Sequence, residues 1–213
     1  IAFNAVDGLL YTSENTIAND RPLYRLAINR AALLQACGAS NATCGSFSTL
    51  DYGASLNDLA PFFTFKDTWP IYESDGSPLV QKLGRYIQGG DFSEKGFLYI
   101  SNGKTGAPSI EDPDSFSDYR NGIHVVDPAG RIVADSYNPA QDCAFGLVCR
   151  TRDPLGSFRF EFDPEFPELE EPEGLDWWDL DDGRAPGVRG QLHVTLLANQ
   201  VGTDDIFFKH YRV

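Results

Sequence analysis

The chain has 213 residues, with 31 acidic residues against 17 Lys and Arg, for a formal net charge of −14. That excess argues against nucleic acid and anionic lipid surfaces, both of which need a basic stripe to displace counterions. With 42% hydrophobic and 13% aromatic residues the composition is that of a globular chain able to bury a core, and no apolar run approaches the roughly 18–20 residues needed to span a bilayer.

In chain order, Ile1–Thr12 reads as extended, with Asp7-Gly8 placed for a tight turn. Asp20 then has the character of a helix N-cap and Pro22 that of a first-turn residue. Leu23, Leu26, Ala27, Arg30, Ala31 and Leu34 follow helical spacing up to Gly38, so an amphipathic helix is expected over about residues 21–37. Phe62, Phe63, Phe65, Trp69 and Tyr72 predict one or two strands with a packed face. Pro78–Ile87 predicts a short helix stopped by Gly89-Gly90. Phe97–Ser101 reads as a strand, and Gly122–Val126 and Arg131–Ser136 form a hairpin around Asp127-Pro128-Ala129-Gly130. Phe158, Phe160 and Phe162 alternate with Arg159 and Glu161 as in a half-buried strand. Gln191–Ala198 and Ile206–Val213 are two further strands. The expected fold is one α+β domain over residues 1–213: an N-terminal helix packed on a mostly antiparallel sheet or sandwich, stapled by disulfides.

The staples are two local cysteine pairs, Cys37/Cys44 and Cys143/Cys149. Each closes a short loop of small residues, worth about 2–3 kcal/mol in the chain-entropy account. Crossed pairing between the two loops is open. The spacing does not suit a four-cysteine zinc site, whose ligands are typically two to four residues apart. Together with the absence of methionine and a start at Ile1, the cysteines predict a processed, secreted or cell-surface chain in an oxidising compartment. Asn41-Ala42-Thr43, inside the first loop, is a glycosylation sequon.

From Glu161 to Asp182 the chain is densely acidic, without Lys or Arg. Pro164, Pro167 and Pro172 forbid helix through its first part, while Trp177 and Trp178 predict an ordered loop anchored by at least one indole. Asp176, Asp179, Asp181 and Asp182 are the candidate calcium ligands, since hard cations take clustered carboxylates, although their register does not fit an EF-hand. Asp112, Asp114 and Asp118 form a second such group. Trp177 and Trp178 are the candidate ligand-binding residues: an indole face stacks on a pyranose, and flanking carboxylates suit glycoside chemistry.

No nucleophile elbow, zinc-protease helix, P-loop or dinucleotide fingerprint occurs. His124 and His193 fall on predicted strands, opposite their apolar neighbours, and read as solvent-side or sheet-bonded residues. Pairing them on a metal would require adjacent strands and a third ligand such as Asp135. His210 reads as structural or exposed. The helix ending at Cys37-Gly38, with Trp177-Trp178 and the run Ala185-Pro186-Gly187-Val188-Arg189-Gly190-Gln191-Leu192 before two closing strands, resembles minor pilins and pseudopilins. The resemblance implies a helix packed on an antiparallel sheet and assembly into a surface filament.

The function expected is therefore a non-enzymatic extracellular or cell-surface protein that self-associates or binds other surface proteins, with Ile1–Tyr11 and Ile206–Val213 available for strand addition. A carbohydrate-binding or glycoside-hydrolysing domain built on the acidic Trp-rich segment is the alternative. A periplasmic sensor, suggested by the Asp127–Gly130 turn, is a third.

Overall fold

The structure is a computed structural model that describes residues 1–14, 17–18, 21–37, 60–79, 82–83, 87–102, 119–120, 122–135, 170–200 and 203–213. Its strands form three antiparallel sheets. The N-terminal sheet is a meander of β1 (Ala2–Asn4), β2 (Leu9–Thr12), β3 (Leu23–Ile28) and β4 (Phe63–Trp69). A parallel pair joins β5 (Lys82–Leu83) to β8 (Tyr119–Arg120). The central sheet runs β10 (Ile132–Asp135), β9 (Gly122–Val126), β7 (Leu98–Asn102), β6 (Ile87–Phe92). The C-terminal sheet is the meander β11 (Glu170–Trp177), β12 (Leu192–Gln200), β13 (Thr203–Tyr211).

The expected helix over 21–37 is corrected. Leu23–Ile28 is a strand paired with β2 on one side and β4 on the other, and only α1 (Arg30–Cys37) is helical. The cap is Asn29, whose Oδ1 accepts the Ala32 N–H at 3.1 Å, while its backbone carbonyl accepts the first helical bond from Leu33. Long-range pairing overrides the local pattern here. Arg25 lies directly across from Asp67 and donates to both carboxylate oxygens at 2.5 and 2.6 Å, a bidentate bond that a helix over 21–37 would break. The amphipathic helix expected over 21–37 and packed on a sheet is therefore not formed, and the described residues are almost wholly β. The short helix expected over Pro78–Ile87 is also replaced: Pro78 bridges to Tyr72, Lys82–Leu83 is β5, and Ile87 opens β6. No helix among the described residues is long and apolar enough to cross a membrane.

The strands expected at Phe97–Ser101, Gly122–Val126, Gln191–Ala198 and Ile206–Val213 correspond in outline to β7, β9, β12 and β13. Asp7 and Gly8 turn the chain between β1 and β2, with the Asp7 carboxylate accepting from Leu9 N–H and from the Tyr11 hydroxyl at 2.6 Å. The Asp127–Gly130 turn links β9 to β10 through Asp127 Oδ1, which accepts from the backbone of Ala129 and Arg131. The Phe158–Phe162 strand, the sequon and Cys44, Cys143 and Cys149 lie outside the described residues. Cys37 closes α1.

The central sheet has both faces covered, which explains why β7 and β9 read as apolar runs rather than clean alternations. On one face Leu98, Ile100 and Val126 join Ala2, Leu9, Tyr11, Leu23 and Trp69 of the N-terminal sheet. Tyr11 meets Trp69 edge-on at 5.3 Å and Phe92 at 4.7 Å between ring centroids, so three aromatic rings join two sheets. On the other face Tyr99, Ile123 and Val125 pack on Leu192, Val194, Leu196 and Tyr211 of the C-terminal sheet.

The two sheets of this second layer approach most closely where β6 meets β11. A side chain begun at Gly89 would place its Cβ 2.9 Å from the Leu175 nitrogen and 3.0 Å from the Gly174 Cα. The Gly89 backbone thus packs against that of Gly174 and Leu175 with no room for a methyl group at Gly89, whereas a Cβ at Gly174 would point into open space. Gly89, read in the sequence with Gly90 as a helix stop, belongs inside β6 for this reason. Pro172 fits β11 because that strand lies at the edge of its sheet and its register with β12 shifts between Pro172 and Gly174.

Gly89→Ala is predicted to lower the unfolding free energy by about 1–3 kcal/mol in urea denaturation, the usual cost of overpacking. Gly90→Ala, whose nearest neighbour would be the Tyr99 carbonyl at 3.4 Å, is predicted to change it by no more than about 0.5 kcal/mol. Equal effects at the two positions would contradict the crossing.

Candidate functional site

The described part of the acidic aromatic segment, from Glu170 on, divides into two parts. Residues 170–177 form β11 rather than a loop, which corrects the expectation of irregular chain there. The stretch from Trp178 to Gly190 is the connection to β12. Alternation along β11 sends Trp177 inward, half-buried, and leaves Asp176 and Trp178 exposed. The Trp177 ring lies against Tyr99 at 4.7 Å, with 30° between planes. Trp178 is 53% exposed and carries the Arg184 guanidinium 5.7 Å above its ring.

The connection is held by its own carboxylates. Gln191 donates from Nε2 to Asp179 Oδ1 and to Asp181 Oδ2, each at 3.1 Å. Asp179 Oδ1 also accepts the Asp181 N–H, and Asp181 Oδ1 accepts the Gly190 N–H and faces Arg212 at 3.3 Å. The Gly190 N–H, followed by Gln191 and Arg212, holds the Asp181 carboxyl below the ordinary aspartate range. Asp182 turns away to accept the Arg184 N–H and pair with its guanidinium. Gly190 has a φ of +103°, and a Cβ there would fall 2.3 Å from the Tyr211 carbonyl oxygen, so the residue must be glycine.

The four proposed calcium ligands therefore do not share one point. Asp179 and Asp181 meet around Gln191, Asp182 faces Arg184, and Asp176 stands on β11. Among the described residues no group of three or more His, Cys, Asp or Glu is arranged to hold a metal. Asp112, Asp114 and Asp118 lie outside the described residues.

What the connection and β11 do build is a cleft of about 460 Å³. Phe97, Tyr99 and Trp177 supply its aromatic part, Val125, Val133 and Ala134 its aliphatic part, and Ser93, Glu94, Lys95, Asp179 and Gln191 its polar part. Burial pushes the Tyr99 hydroxyl up to about 12, so it stays protonated and able to donate at neutral pH. The volume lies within the roughly 300–1,000 Å³ of small-molecule sites, and an apolar lining with a few polar groups is their usual make-up. Of the two proposed ligand-binding residues, Trp177 lines this cleft and Trp178 does not.

Two features here were not read in the sequence. The first is Asp91 on β6, which sits directly across from Tyr99 and accepts the Trp177 N–H at 2.9 Å. Burial raises the Asp91 carboxyl above its ordinary value. The N–H groups of Trp177 and Phe92 hold back part of the rise, and the Asp176 carboxyl beside it adds to it. The second is a histidine contact between β12 and β13. His193 and His210 are cross-strand partners, with their Nδ1 atoms 2.7 Å apart. Burial, and then His193, lower the His210 pKa. His124, by contrast, is fully buried on the central sheet, which corrects its solvent-side reading, and it lies in a different sheet from His193.

The sign of the Asp91 shift sets a test. The folded state holds this proton more tightly than the unfolded chain, so its contribution is fully present below the ordinary value of 3.8 and is lost as pH rises through the higher folded value. Asp91→Asn keeps a carbonyl oxygen for Trp177 N–H and removes the charge. Relative to the parent chain, its melting temperature is predicted to rise as pH is taken from about 4 to about 7. A difference that does not change with pH would contradict the assignment. Compared with known proteins, the chain matches no family model, no curated protein and no solved structure.

Proposed function

We propose that the chain is a non-enzymatic binding domain of the cell surface or extracellular space, and that its ligand is a pyranose-type sugar held in the cleft of Phe97, Tyr99 and Trp177. The observation that carries this reading is the convergence of these rings with Ser93, Glu94, Lys95, Asp179 and Gln191 on one cavity of about 460 Å³. A pyranose offers C–H groups on its faces and hydroxyls around its rim. The aromatic surface suits the first, and the carboxylates, amide and ammonium suit the second. The Gln191 network fixes Asp179 in place before any ligand arrives, which lowers the ordering cost of binding. The extracellular assignment rests on the paired cysteines and the acidity of the sequence.

A second reading, a subunit that assembles with copies of itself, is favoured by the outer face of the C-terminal sheet. There Ile206 and Phe208 are 63% and 69% exposed, across from Leu197 and Thr195. The pilin-like form of that reading loses its structural premise, because Leu23–Ile28 of the expected packed helix is β3 and only Arg30–Cys37 is helical. The chain segments expected to add to a neighbour's sheet are also used internally, β1 and β2 with each other and β13 with β12.

A glycan array probed with the intact chain is predicted to give saturable binding to a defined set of sugars. Tyr99→Phe is predicted to weaken it by about 3–10-fold, the value of one hydrogen bond, with no loss of fold by circular dichroism. Trp177→Ala is predicted to abolish it. An array with no bound glycan would overturn the sugar reading. Sedimentation of the parent and Phe208→Glu chains separates the second reading, which requires a concentration-dependent oligomer that the substitution dissolves.

A further inference from the structure

His193 and His210 meet side by side across β12 and β13. Both Nδ1 atoms point at each other at 2.7 Å, with ring centroids 4.9 Å apart. The other nitrogen of His193 settles which tautomer is present. Its Nε2 lies 2.6 Å from the Trp178 carbonyl oxygen, and a carbonyl oxygen can only accept, so Nε2 carries the proton. Nδ1 of neutral His193 therefore presents a lone pair toward His210. A ring whose far N–H is fixed on a backbone carbonyl, with the near nitrogen left bare, is the arrangement in which histidine ligates metals.

We propose that His193 and His210 form a two-histidine chelate for a divalent transition-metal ion of square-planar or octahedral preference, with Cu²⁺ as the probe that reports it. With metal–nitrogen bonds of about 2.0 Å, two nitrogens kept 2.7 Å apart would subtend about 85° at the metal once each ring turns its Nδ1 from the neighbouring nitrogen toward the ion. That is close to the right angle between neighbouring ligands in square-planar and octahedral complexes, and well short of the tetrahedral angle preferred by zinc. Without metal, His210 donates its Nδ1–H to His193. With metal, His210 binds as the neutral ring with its proton moved to Nε2, so no net proton change is needed. The rings belong to adjacent strands at a fixed register, which supplies the preorganisation a two-ligand site needs. Both lie on the outer face of the C-terminal sheet, His210 exposed and His193 half-buried. Asp176 is the cross-strand partner of His193 on β11, and its charge, with the net charge of −14, favours a cation there. Water completes the coordination. This site is separate from the cleft and does not rest on the sugar reading.

The test is a titration of the intact chain with Cu²⁺ alone, followed by electron paramagnetic resonance. The chain has three histidines, and His124 is fully buried. One equivalent is expected to bind with hyperfine coupling from two imidazole nitrogens. His193→Gln and His210→Gln are each expected to reduce the coupling to one nitrogen and to weaken binding at least tenfold. In the unmodified chain, sub-stoichiometric Cu²⁺ is expected to broaden the ring resonances of His193 and His210 and leave those of His124 sharp. Oxygen-only coordination, a two-nitrogen spectrum that survives either substitution, or broadening confined to other residues would each overturn the site.

Discussion

The absence of a side chain at Gly89, where β6 crosses β11, is the constraint on which the rest of this structure depends. There the central and C-terminal sheets approach backbone to backbone, within the 2.9–3.0 Å that would separate a Gly89 Cβ from β11. A larger residue at Gly89 would push β11 outward and with it the edge of the C-terminal sheet. Three consequences rely on that short approach. Asp91 reaches the Trp177 N–H, Tyr99 reaches the Trp177 ring, and the apolar residues of β12 seat on Ile123 and Val125.

The same approach places a carboxyl where it is costly. Asp91 is drawn into a poorly solvated position beside Asp176 because the outward N–H of β11 needs an acceptor. The cleft is the complementary outcome. Once β11 is held down, its last residue, Trp177, forms part of an aromatic wall, and the turn that follows must climb away from it. Gln191 gathers Asp179 and Asp181 at that climb, so the acidity that looked like a cation site in the sequence acts first as an internal scaffold. Each of these carboxylates meets an N–H or guanidinium donor rather than a shared centre.

The sequence foretold those elements whose signal is local. The Asp7-Gly8 turn, the β9–β10 hairpin around Asp127–Gly130 and the β12–β13 pair were legible because turn chemistry and alternation lie within a few residues. The register of the last pair was within reach too. Two residues separate Gln200 from Thr203, and a hairpin folded there brings His193 opposite His210. What failed was Leu23–Ile28. Its apolar residues also fit a 3.6-residue period, and what decides its form is pairing with β2 and with Asp67 some forty residues away. Gly89-Gly90 misled for a related reason. Glycine marks both helix ends and close backbone approach, and only the position of β11 tells which applies. Of the site, Trp177 and Asp179 were picked out by composition, while Tyr99 and Asp91 come from strands, and Gln191 from the residue before β12, whose neighbours the sequence does not name.

Backbone contact between β6 and β11 is measured most directly by nuclear Overhauser effects in the isotopically labelled chain. The account predicts strong cross-peaks from a Gly89 α-proton to a Gly174 α-proton and to the Leu175 amide proton. Their absence, with the β6–β7 and β11–β12 cross-strand peaks intact, would show that both sheets form without this crossing and would contradict the account.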